Sequence, residues 1–498
     1  MPASGYRLCH NFRRTHRQKI HLSGVAMSNR HDLNSADAAP LPTDSTRDSA
    51  QSALERVTLA YEQTLSLLHQ TEQSYSRLIP RQLLPLLERG SIIDVKLGDQ
   101  IERRLTIMFS DIRNFTPLSE SMTPRENFEF INSYLSQMEP VIGSDHGIID
   151  KYMGDTIMAL FPRSADDAVS GAIAILDKLN EYNSGRKRAG YVPIQIGIGL
   201  NTGMVIIGTV GGTNRMDSTV IGDAVNLTSR IEDATKTYHA PLLISQNTLY
   251  ELADTDKYDI RFLDRIRVKG KTQPLSIYEV FDNDPVELRN GKRTTRADFE
   301  EAIAQYHLKE IPRAIELLTH CIRMVPKDIP AHIYMARCEE FLATGQHYST
   351  GELDTHMEWR AEFQVGIEAI DKPHRLLFEE INAFIAANRK GDQSKILEIL
   401  VFLKKHTQAY FSHEEELMRR HDYPFLDSHL HEHARFIANL WTLSKEAEAG
   451  YADTNYLSFR VQLLLVDWFT CHLAKSDRHM GRHLLGAIQS ATTPKPHH

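Results

Sequence analysis

The chain has few cysteines, no long apolar run and no excess of positive charge. Its four cysteines among 498 residues include no CxxC pair, which fits a reducing compartment better than a disulfide framework. No stretch has the roughly 18 consecutive apolar residues of a membrane span, so we expect no transmembrane segment and a cytoplasmic location. The net charge of −8 gives no basic footprint, and we expect no nucleic-acid partner.

The length exceeds that of a single core and indicates several units. Residues 1–50 are rich in Ser, Asp, Pro and Ala without periodicity, which predicts a disordered leader, with Met27 as an alternative start to Met1. Residues 51–100 are predicted to be a helical signalling segment that begins with a heptad repeat. The two core positions are Leu54, Tyr61, Leu68 and Tyr75, and Val57, Thr64, Thr71 and Leu78. This pattern favours a short parallel coiled coil over a helix packed on its own domain.

Two acidic residues follow strand-like segments. The apolar run LTIMF leads directly into Ser110 and Asp111, which places a carboxylate at the end of a buried strand. In GIIDKYMGDTIMALF, two β-rich runs flank a tight turn with Asp155 at its tip. If the strands are neighbours in one sheet, Asp111 and Asp155 can share two Mg²⁺ ions, and such ions commonly accompany phosphates.

Strand-like and helix-like segments alternate between residues 101 and 283. Strands are predicted at 105–110, 147–153, 156–161, 193–201 and 204–210, with helices at 124–140, 165–182 and 222–236. Further strands are predicted near 241–244, 260–269 and 275–281. The order β-α-β-β-α-β indicates an α+β fold with a ferredoxin-like sheet and helices on one face.

Four segments of this region resemble the class III nucleotide cyclases over about 180 residues. They are FSDIRNFT, DKYMGDTIMALF, STVIGDAVNLTSRIE and VKGKTQPLSIYEV, in the family's order and spacing. The resemblance implies a head-to-tail homodimer with two active sites across the interface. It implies that Asp111 and Asp155, helped by the Ile112 carbonyl, hold two Mg²⁺ or Mn²⁺ ions. The other implied site residues are Lys151 and Thr219 for the base, Asn226 for the ribose, Arg230 for the transition state, and Lys269 or Lys271 for the triphosphate.

The residues that read the base favour ATP as the substrate. Adenine offers an acceptor at N1 and a donor at N6, which Lys151 and the Thr219 hydroxyl can complement, whereas guanine would need a carboxylate. The Lys and Thr pair resembles that of the cyanobacterial-like adenylate cyclases, some of which respond to bicarbonate. Guanylate cyclase remains the alternative within this family.

Residues 284–350 have apolar positions at helical spacing. Phe299, Tyr306, Ala314 and Pro326 approximate one tetratricopeptide-like unit followed by another helix. Because a single repeat cannot bury its own apolar face, we expect this all-α connector to pack on a neighbouring domain.

The last 148 residues contain 13 of the 24 histidines, and such crowding on helices favours a metal site. Four helices are predicted, at 371–390, 393–420, 426–449 and 455–476, separated by Gly391, by Tyr423 with Pro424, and by Gly450. Their number and length are typical of an up-and-down four-helix bundle.

From Trp359 and VGIEAIDKPH onward, residues 356–486 resemble the bacterial hemerythrins, with 487–498 as a tail. The resemblance implies a di-iron centre that binds O₂ reversibly. The implied ligands are His374, Glu414, His429, His433, His472 and Asp477. At the family's remaining histidine position, four residues before Glu414, this chain has Tyr410. Either Tyr410 binds iron as a phenolate or one iron has fewer protein ligands, and a bundle without metal is the third alternative.

These features together predict a homodimeric adenylate cyclase that converts ATP into 3′,5′-cyclic AMP and pyrophosphate. O₂ or the redox state of the C-terminal di-iron centre is expected to regulate it. The alternative from another class is a protein that binds or stores O₂ or iron, in which the cyclase half is a silent support.

Overall fold

A computed structural model describes residues 44–75, 83–212, 215–267, 274–347, 356–390, 392–449 and 454–492. Several features predicted from the sequence lie outside these ranges. They are the leader before residue 44, Leu78 of the heptad, Lys269, Lys271 and residues 493–498 of the tail. Within the described residues, no helix combines the length and the apolar character that crossing a membrane requires.

The first unit of the chain ends at Tyr75 and contains helix α1 (Asp44–Tyr75). The apolar side chains of its heptad, among them Leu54, Val57, Tyr61 and Leu68, are exposed along the helix. A helix of this length with an exposed apolar stripe suits a coiled coil, and that pairing stays a prediction.

The second unit, residues 76–498, contains an eight-stranded sheet. After the short helix α2 (Leu83–Leu86) come β1 (Gln100–Ile112), α3 (Phe115–Glu120), α4 (Pro124–Ser144), β2 (Ile148–Met153), β3 (Thr156–Phe161) and α5 (Ala165–Arg188). Then follow β4 (Ile196–Gly212), β5 (Arg215–Ile221), α6 (Asp223–Tyr238), β6 (Leu242–Ser245), α7 (Gln246–Glu251), β7 (Ile260–Arg267) and β8 (Pro274–Val280). The strand order is β2-β3-β1-β4-β6-β8-β7, and β5 pairs with β4.

The predicted α+β class and ferredoxin-like sheet are confirmed, but the prediction that the helices lie on one face is wrong. Alternate residues of β4, such as Ile196 and Ile198, point into the core that α4 and α5 cover. The glycines between them lie against α6 on the opposite face. Helices α4 and α5 therefore share one face of the sheet, and α6 lies on the other.

Two predicted strands, 193–201 and 204–210, are wrong as separate elements. The structure has one strand, β4, which pairs antiparallel with β1 from Ile196 opposite Ile112 to Gly208 opposite Gln100. Gly203 resembles a turn residue in the sequence, but it is needed for packing, because a Cβ at this position would lie 2.8 Å from the Ala224 Cβ. Strand β5, which the sequence did not predict, continues the sheet from the far end of β4.

Three helices follow the sheet: α8 (Val286–His307), α9 (Ile311–Met324) and α10 (Ile329–Thr344). Their apolar residues share one core with β7 and β8, in which Phe299 and Tyr334 lie with Phe262. Phe459, from the last part of the chain, completes this core and lies 5.5 Å from the Phe262 ring. The helices thus bury their apolar face on both neighbours, as expected for a single repeat.

The C-terminal region is helical, with α11 (Glu368–Arg389), α12 (Gln393–Arg420) and α13 (Leu426–Ala449). A continuous helical segment, 454–492, forms the fourth helix. It consists of α14 (Thr454–Gln462), a π-helical stretch Leu463–Trp468, α15 (Phe469–His472), a second π-helical stretch Leu473–Asp477 and α16 (Arg478–Thr492). The prediction that this helix ends at 476 is wrong, because neither Gly481 nor Gly486 interrupts it.

Candidate functional site

The first group of candidate residues lies where β1 meets the hairpin of β2 and β3. Gly154 adopts a φ of 68°, a left-handed conformation that glycine accepts without strain, and so allows the tight turn that presents Asp155. The Ile112 N–H donates to Asp155 Oδ2 at 3.2 Å, and the Thr156 hydroxyl donates to Asp111 Oδ1 at 2.7 Å. These bonds hold both carboxylates at the same edge of the sheet.

The two carboxylates repel one another. Burial raises the pKa of Asp155 to about 6, and the negative charge of Asp111 adds to the effect. A hard divalent cation stabilises two carboxylates that lie close together, because its positive charge offsets their mutual repulsion. Asp111 and Asp155 therefore fit a Mg²⁺ or Mn²⁺ site.

A lysine that the sequence analysis missed faces this pair. Lys236 Nζ lies 3.2 Å from Asp111 Oδ2 and 3.4 Å from Glu232 Oε2. Burial raises the pKa of Glu232 to about 7, against the opposing effect of Lys236. No sequence signal marks Lys236, because its contact with Asp111 joins positions 125 residues apart.

Helix α6 presents Arg230 on a different side from Lys236, and Asn226 lies about 15 Å from Lys236 along the axis. Four residues separate Asn226 from Arg230, so their side chains leave the helix about 40° apart. Arg230 and Lys236 are six residues apart, which places them about 120° apart around the axis and about 9 Å along it. Within the described part of the chain, neither Asn226 nor Arg230 forms a side-chain hydrogen bond or ion pair. The structure thus brings Asp111 and Asp155 together, and among the described residues neither carboxylate contacts Asn226 or Arg230.

The residues predicted to read the base lie on two strands. Lys151, on β2, is about one-third exposed, and its Nζ lies 3.2 Å from Asp150 Oδ2. Thr219, on β5, is partly buried and pairs with Gly208 of β4. Lys269 and Lys271 lie outside the described residues.

A second group of candidate residues fills the interior of the helical bundle. Each of five buried side chains offers one ligand atom, and these atoms all lie within 4.8 Å of one another. The five residues are Glu414, His429, His433, His472 and Asp477. They include five of the seven predicted iron ligands and come from three helical segments.

Local helix geometry explains how the chain assembles this cluster. His429 and His433 are four residues apart on α13 and share its inner face. His472 and Asp477 are five apart, a spacing that separates side chains by about 140° on an α-helix. The π-helical stretch Leu473–Asp477 adds a residue to the turn, and His472 Nε2 lies 3.0 Å from Asp477 Oδ1.

His374 adjoins the cluster, and the ring contact described for Tyr410 is with His406. His374 Nε2 lies 2.7 Å from Glu414 Oε1 and 3.7 Å from Asp477 Oδ2, and its side chain is buried. Tyr410 is only partly buried, with its ring 6.0 Å from that of His406.

The electrostatics of the cluster fit a cation. Burial alone would lower the pKa of His472, but Asp477 and Glu432 outweigh it and raise this pKa to about 10. Burial lowers the pKa of His433 to about 4, and the neighbouring imidazoles contribute. His429 Nε2 lies 3.2 Å from Asp477 Oδ1, and His433 Nε2 lies 3.4 Å from Glu414 Oε2. Buried imidazole nitrogens and carboxylate oxygens that converge in this way form a ligand set suited to iron.

Aromatic rings hold two of the imidazoles in place. Phe411 stacks on His433 with ring centroids 3.7 Å apart and planes at 4°, and Trp468 stacks on His472 at 4.5 Å and 13°. The sequence analysis missed both rings, because aromatic residues at core positions of a bundle carry no separate signal.

Comparisons with known proteins match the two sites to two families. Residues 99–281 match the adenylate and guanylate cyclase catalytic domain, and residues 365–484 match the hemerythrin HHE cation binding domain. An adenylate cyclase of Anabaena cylindrica is 39% identical over 234 residues, which are 46% of this chain and 47% of that protein. The terminal-differentiation specific adenylate cyclase of Dictyostelium discoideum is 35% identical over 310 residues, 61% of this chain and 14% of that protein.

A solved structure, the adenylyl cyclase CyaB from P. aeruginosa, is 34% identical and covers 37% of this chain and 96% of that chain, with a TM-score of 0.33. The chain spans less than half the length of the two curated relatives it matches.

Proposed function

This chain contains an adenylate and guanylate cyclase catalytic domain followed by a hemerythrin domain, and we propose that it converts ATP into 3′,5′-cyclic AMP and pyrophosphate under the control of its iron site. The observation that carries the proposal is the convergence of Asp111 and Asp155, which among the described residues contact neither Asn226 nor Arg230 of the same chain.

Asp111 and Asp155 would hold the metal ions, with the Ile112 carbonyl as a further ligand. Two Mg²⁺ or Mn²⁺ ions supply acidity to the ribose 3′-hydroxyl and neutralise phosphate charge when bound. The Ile112 N–H and the Thr156 hydroxyl hold the two carboxylates for this purpose.

Asn226 and Arg230 would act on the nucleotide held by the carboxylates of a second subunit. Asn226 orients the ribose, and the Arg230 guanidinium donates to the α-phosphate as negative charge increases there. Removing one such donor typically costs about 3 to 4 kcal/mol of transition-state stabilisation. The geometry of α6 supports a homodimer with shared sites, because Lys236, and not Arg230, reaches the carboxylates of its own chain.

Lys151 and Thr219 favour ATP over GTP, since a lysine donates to adenine N1 and a threonine hydroxyl accepts from N6. Lys269 and Lys271 remain the candidates for contact with the triphosphate.

In the hemerythrin domain, His374 and the five-residue cluster would hold two irons. A di-iron centre supplies reversible O₂ binding when it is loaded. The protein contributes a buried pocket in which Phe411 and Trp468 fix two imidazoles. Because the bundle packs on the catalytic half, we propose that O₂ or the redox state of the iron alters cyclic AMP synthesis.

The test mixes two inactive variants. We expect Asp155→Ala and Arg230→Ala homodimers each to lose at least about 100-fold in turnover of ATP. In a mixed dimer, one site receives both defects and the other receives none. Equal amounts of the two variants should therefore recover about a quarter of wild-type activity, measured as cyclic AMP formed.

Circular dichroism of each variant serves as the folding control. A mixture with no more activity than its components would contradict shared sites, and full activity of Asp155→Ala would contradict the metal assignment. Faster turnover of GTP than of ATP by the wild type would favour guanylate cyclase instead. Loaded protein with the same activity before and after admission of O₂ would contradict iron regulation.

A further inference from the structure

Glu432, on α13, lies between the cluster in the bundle and the catalytic sheet. Its two carboxylate oxygens have different partners. Oε2 lies 2.6 Å from His472 Nδ1 and accepts from the Ser476 hydroxyl at 2.8 Å. Oε1 lies 2.9 Å from Arg104 NH1. One carboxylate therefore joins a candidate iron ligand to a residue of β1.

Arg104 is fixed on the catalytic side by more than this contact. Its Nε and NH2 donate to Glu251 Oε1 of α7 at 3.0 and 2.7 Å. Its side chain is 22% exposed and that of Glu432 is 10% exposed, so water screens this ion pair only weakly. On β1, Arg104 lies opposite Met204 of β4, and the same strand ends near Asp111.

The rest of the connection is rigid. Trp468 stacks on His472, and Asp477 Oδ1 lies 3.0 Å from His472 Nε2, so a shift of this imidazole must be transmitted to its Nδ1 partner. From Arg104 to Asp111, β1 is paired residue by residue with β4, and from Thr106 onward it also pairs with β3. A displaced Arg104 can be accommodated by movement of this strand, which carries a metal-binding carboxylate.

We propose that Glu432 is the positioning residue through which the iron site and the catalytic strand influence one another, with Arg104 as its partner on β1. This inference rests on the proposed function and specifies how iron regulates that site. A ligand rearrangement that moves His472 changes the position of Glu432, and Arg104 must follow or lose its partner. The influence is reciprocal, because a coupling free energy between two sites acts in both directions.

The experiment uses the full-length, iron-loaded protein and three substitutions. Glu432→Gln keeps the shape of the side chain but weakens both connections. Arg104→Gln removes the partner on β1 and touches no iron ligand. The matched control is Glu102→Gln, two residues earlier on β1, whose Oε2 contacts His479 Nε2 at 3.0 Å on the surface of the same interface.

Two sets of measurements are made, one on the iron site and one on catalysis. The first is the visible spectrum and the rate of iron loss to a chelator, without nucleotide. The second is the ratio of cyclic AMP formation before and after O₂ is admitted to the ferrous protein. Couplings between sites are typically about 5- to 150-fold, and we expect the ratio in Glu432→Gln and Arg104→Gln to fall within about twofold of one. We also expect Arg104→Gln to shift the iron spectrum or the rate of iron loss, whereas Glu102→Gln matches the wild type in both measurements.

A merely structural ion pair would lower the melting temperature of Arg104→Gln and leave the iron spectrum and the activity ratio unchanged, and that result would overturn the proposal. If Arg104→Gln fails to fold, Arg104→Lys replaces it, because an ammonium cannot span Glu251 and Glu432 as the guanidinium does. If the iron-loaded wild type formed cyclic AMP at the same rate before and after O₂ is admitted, both iron regulation and this inference would be refuted. A wild type without cyclase activity would refute the proposed function, and the spectra of Arg104→Gln and Glu102→Gln would then decide the coupling alone.

Discussion

At the scale of single residues, Lys151 is expected to decide which nucleotide the site accepts. It is an exposed donor on β2, whereas guanine presents a protonated N1 that needs an acceptor. We expect Lys151→Glu to lower ATP turnover and to raise the ratio of GTP to ATP turnover at least about tenfold, because adenine N1 would lose its donor. Initial rates with each nucleotide at equal metal concentration measure this ratio.

Lys178→Glu is a suitable control, since Lys178 forms a surface ion pair with Glu181 and lies outside the site. An unchanged ratio in Lys151→Glu would remove Lys151 from base recognition.

Tyr410 carries the second prediction at this scale. Because its ring is only partly buried and lies 6.0 Å from that of His406, we expect Tyr410→Phe to keep the iron content and visible spectrum of the wild type. Glu414→Gln, four residues later on the same helix, should lose at least about tenfold in iron affinity. Iron analysis and absorption spectra of both proteins test this. Loss of a visible band in Tyr410→Phe would instead assign the phenolate to iron.

The sequence predicted these residues unequally, for a physical reason. Asp111, Asp155 and the bundle histidines follow from local patterns, namely a strand end, a hairpin tip and helical spacing. Glu432, Arg104 and Lys236 act through contacts between segments far apart in the chain, and Glu432 and Arg104 are 328 positions apart. Nothing in the local sequence distinguishes such residues from ordinary surface charges.

At the scale of elements, the contact between β4 and α6 positions half of the proposed active site. A Cβ at Gly199 would lie 2.8 Å from the Glu232 Cα and closer still to its backbone nitrogen. We expect Gly199→Ala to lower the free energy of unfolding by about 1 to 3 kcal/mol, because the helix must move away from the sheet. Cyclic AMP formation should fall further than stability alone explains, since α6 carries Asn226 and Arg230.

Gly212→Ala, on the same strand, is the matched control, because its Cβ would have no neighbour within 4 Å. Denaturant unfolding and initial rates of both variants measure the two effects. A stable and fully active Gly199→Ala would contradict the role given to this contact.

Three of the four bundle helices were predicted closely, whereas the end of the fourth helix and the merging of two strands into β4 were not. Apolar periodicity locates long helices such as α12 and α13 within a few residues. In a sequence, a glycine such as Gly203 fits either a turn or a strand that packs closely on a helix. Only its pairing with β1 shows that Gly203 lies in a strand. The π-helical turn before Asp477 depends in the same way on packing that the local sequence does not reveal.

At the scale of the whole second unit, buried ion pairs join the catalytic sheet to the connector. Arg261 donates to Glu279 Oε2 at 2.6 Å and to both oxygens of Asp328 at 2.7 Å, and all three side chains are buried. Lys292 of α8 donates to the other oxygen of Glu279 at 2.7 Å. Burial alone would raise the pKa of Glu279, but Arg261 and Lys292 outweigh it and lower this pKa to about 2.

Glu279 should therefore make stability depend on pH. A lowered carboxyl pKa contributes stability above its usual value of 4.5, and this contribution is lost as the pH falls from there towards 2. We expect Glu279→Gln to lower the free energy of unfolding by about 3 to 5 kcal/mol at pH 7, because the buried Arg261 and Lys292 each lose one of their two carboxylate partners. The difference from the wild type should shrink as the pH falls below 4.5, as followed by circular dichroism in denaturant.

Glu181→Gln provides the comparison, since the Glu181 side chain is 71% exposed and its loss should change stability by less than about 0.5 kcal/mol. If Glu279→Gln lowered the free energy of unfolding by the same amount at pH 7 and pH 3, the charge of Glu279 would not be the source of its contribution to stability.

The contact between Arg265 of β7 and Asp467 limits what can be learned from a truncated form of this protein. The Arg265 guanidinium pairs with the Asp467 carboxylate, and the Ser276 hydroxyl donates to the same carboxylate at 2.8 Å, with both charged side chains at most 2% exposed. Cutting the chain before residue 356 would uncover this arginine and Arg104 together with the apolar surface around them. Measurements on a shortened protein would thus combine the damage of an opened interface with the loss of the proposed sensor, so single substitutions that retain the bundle are the better test of the proposed regulation.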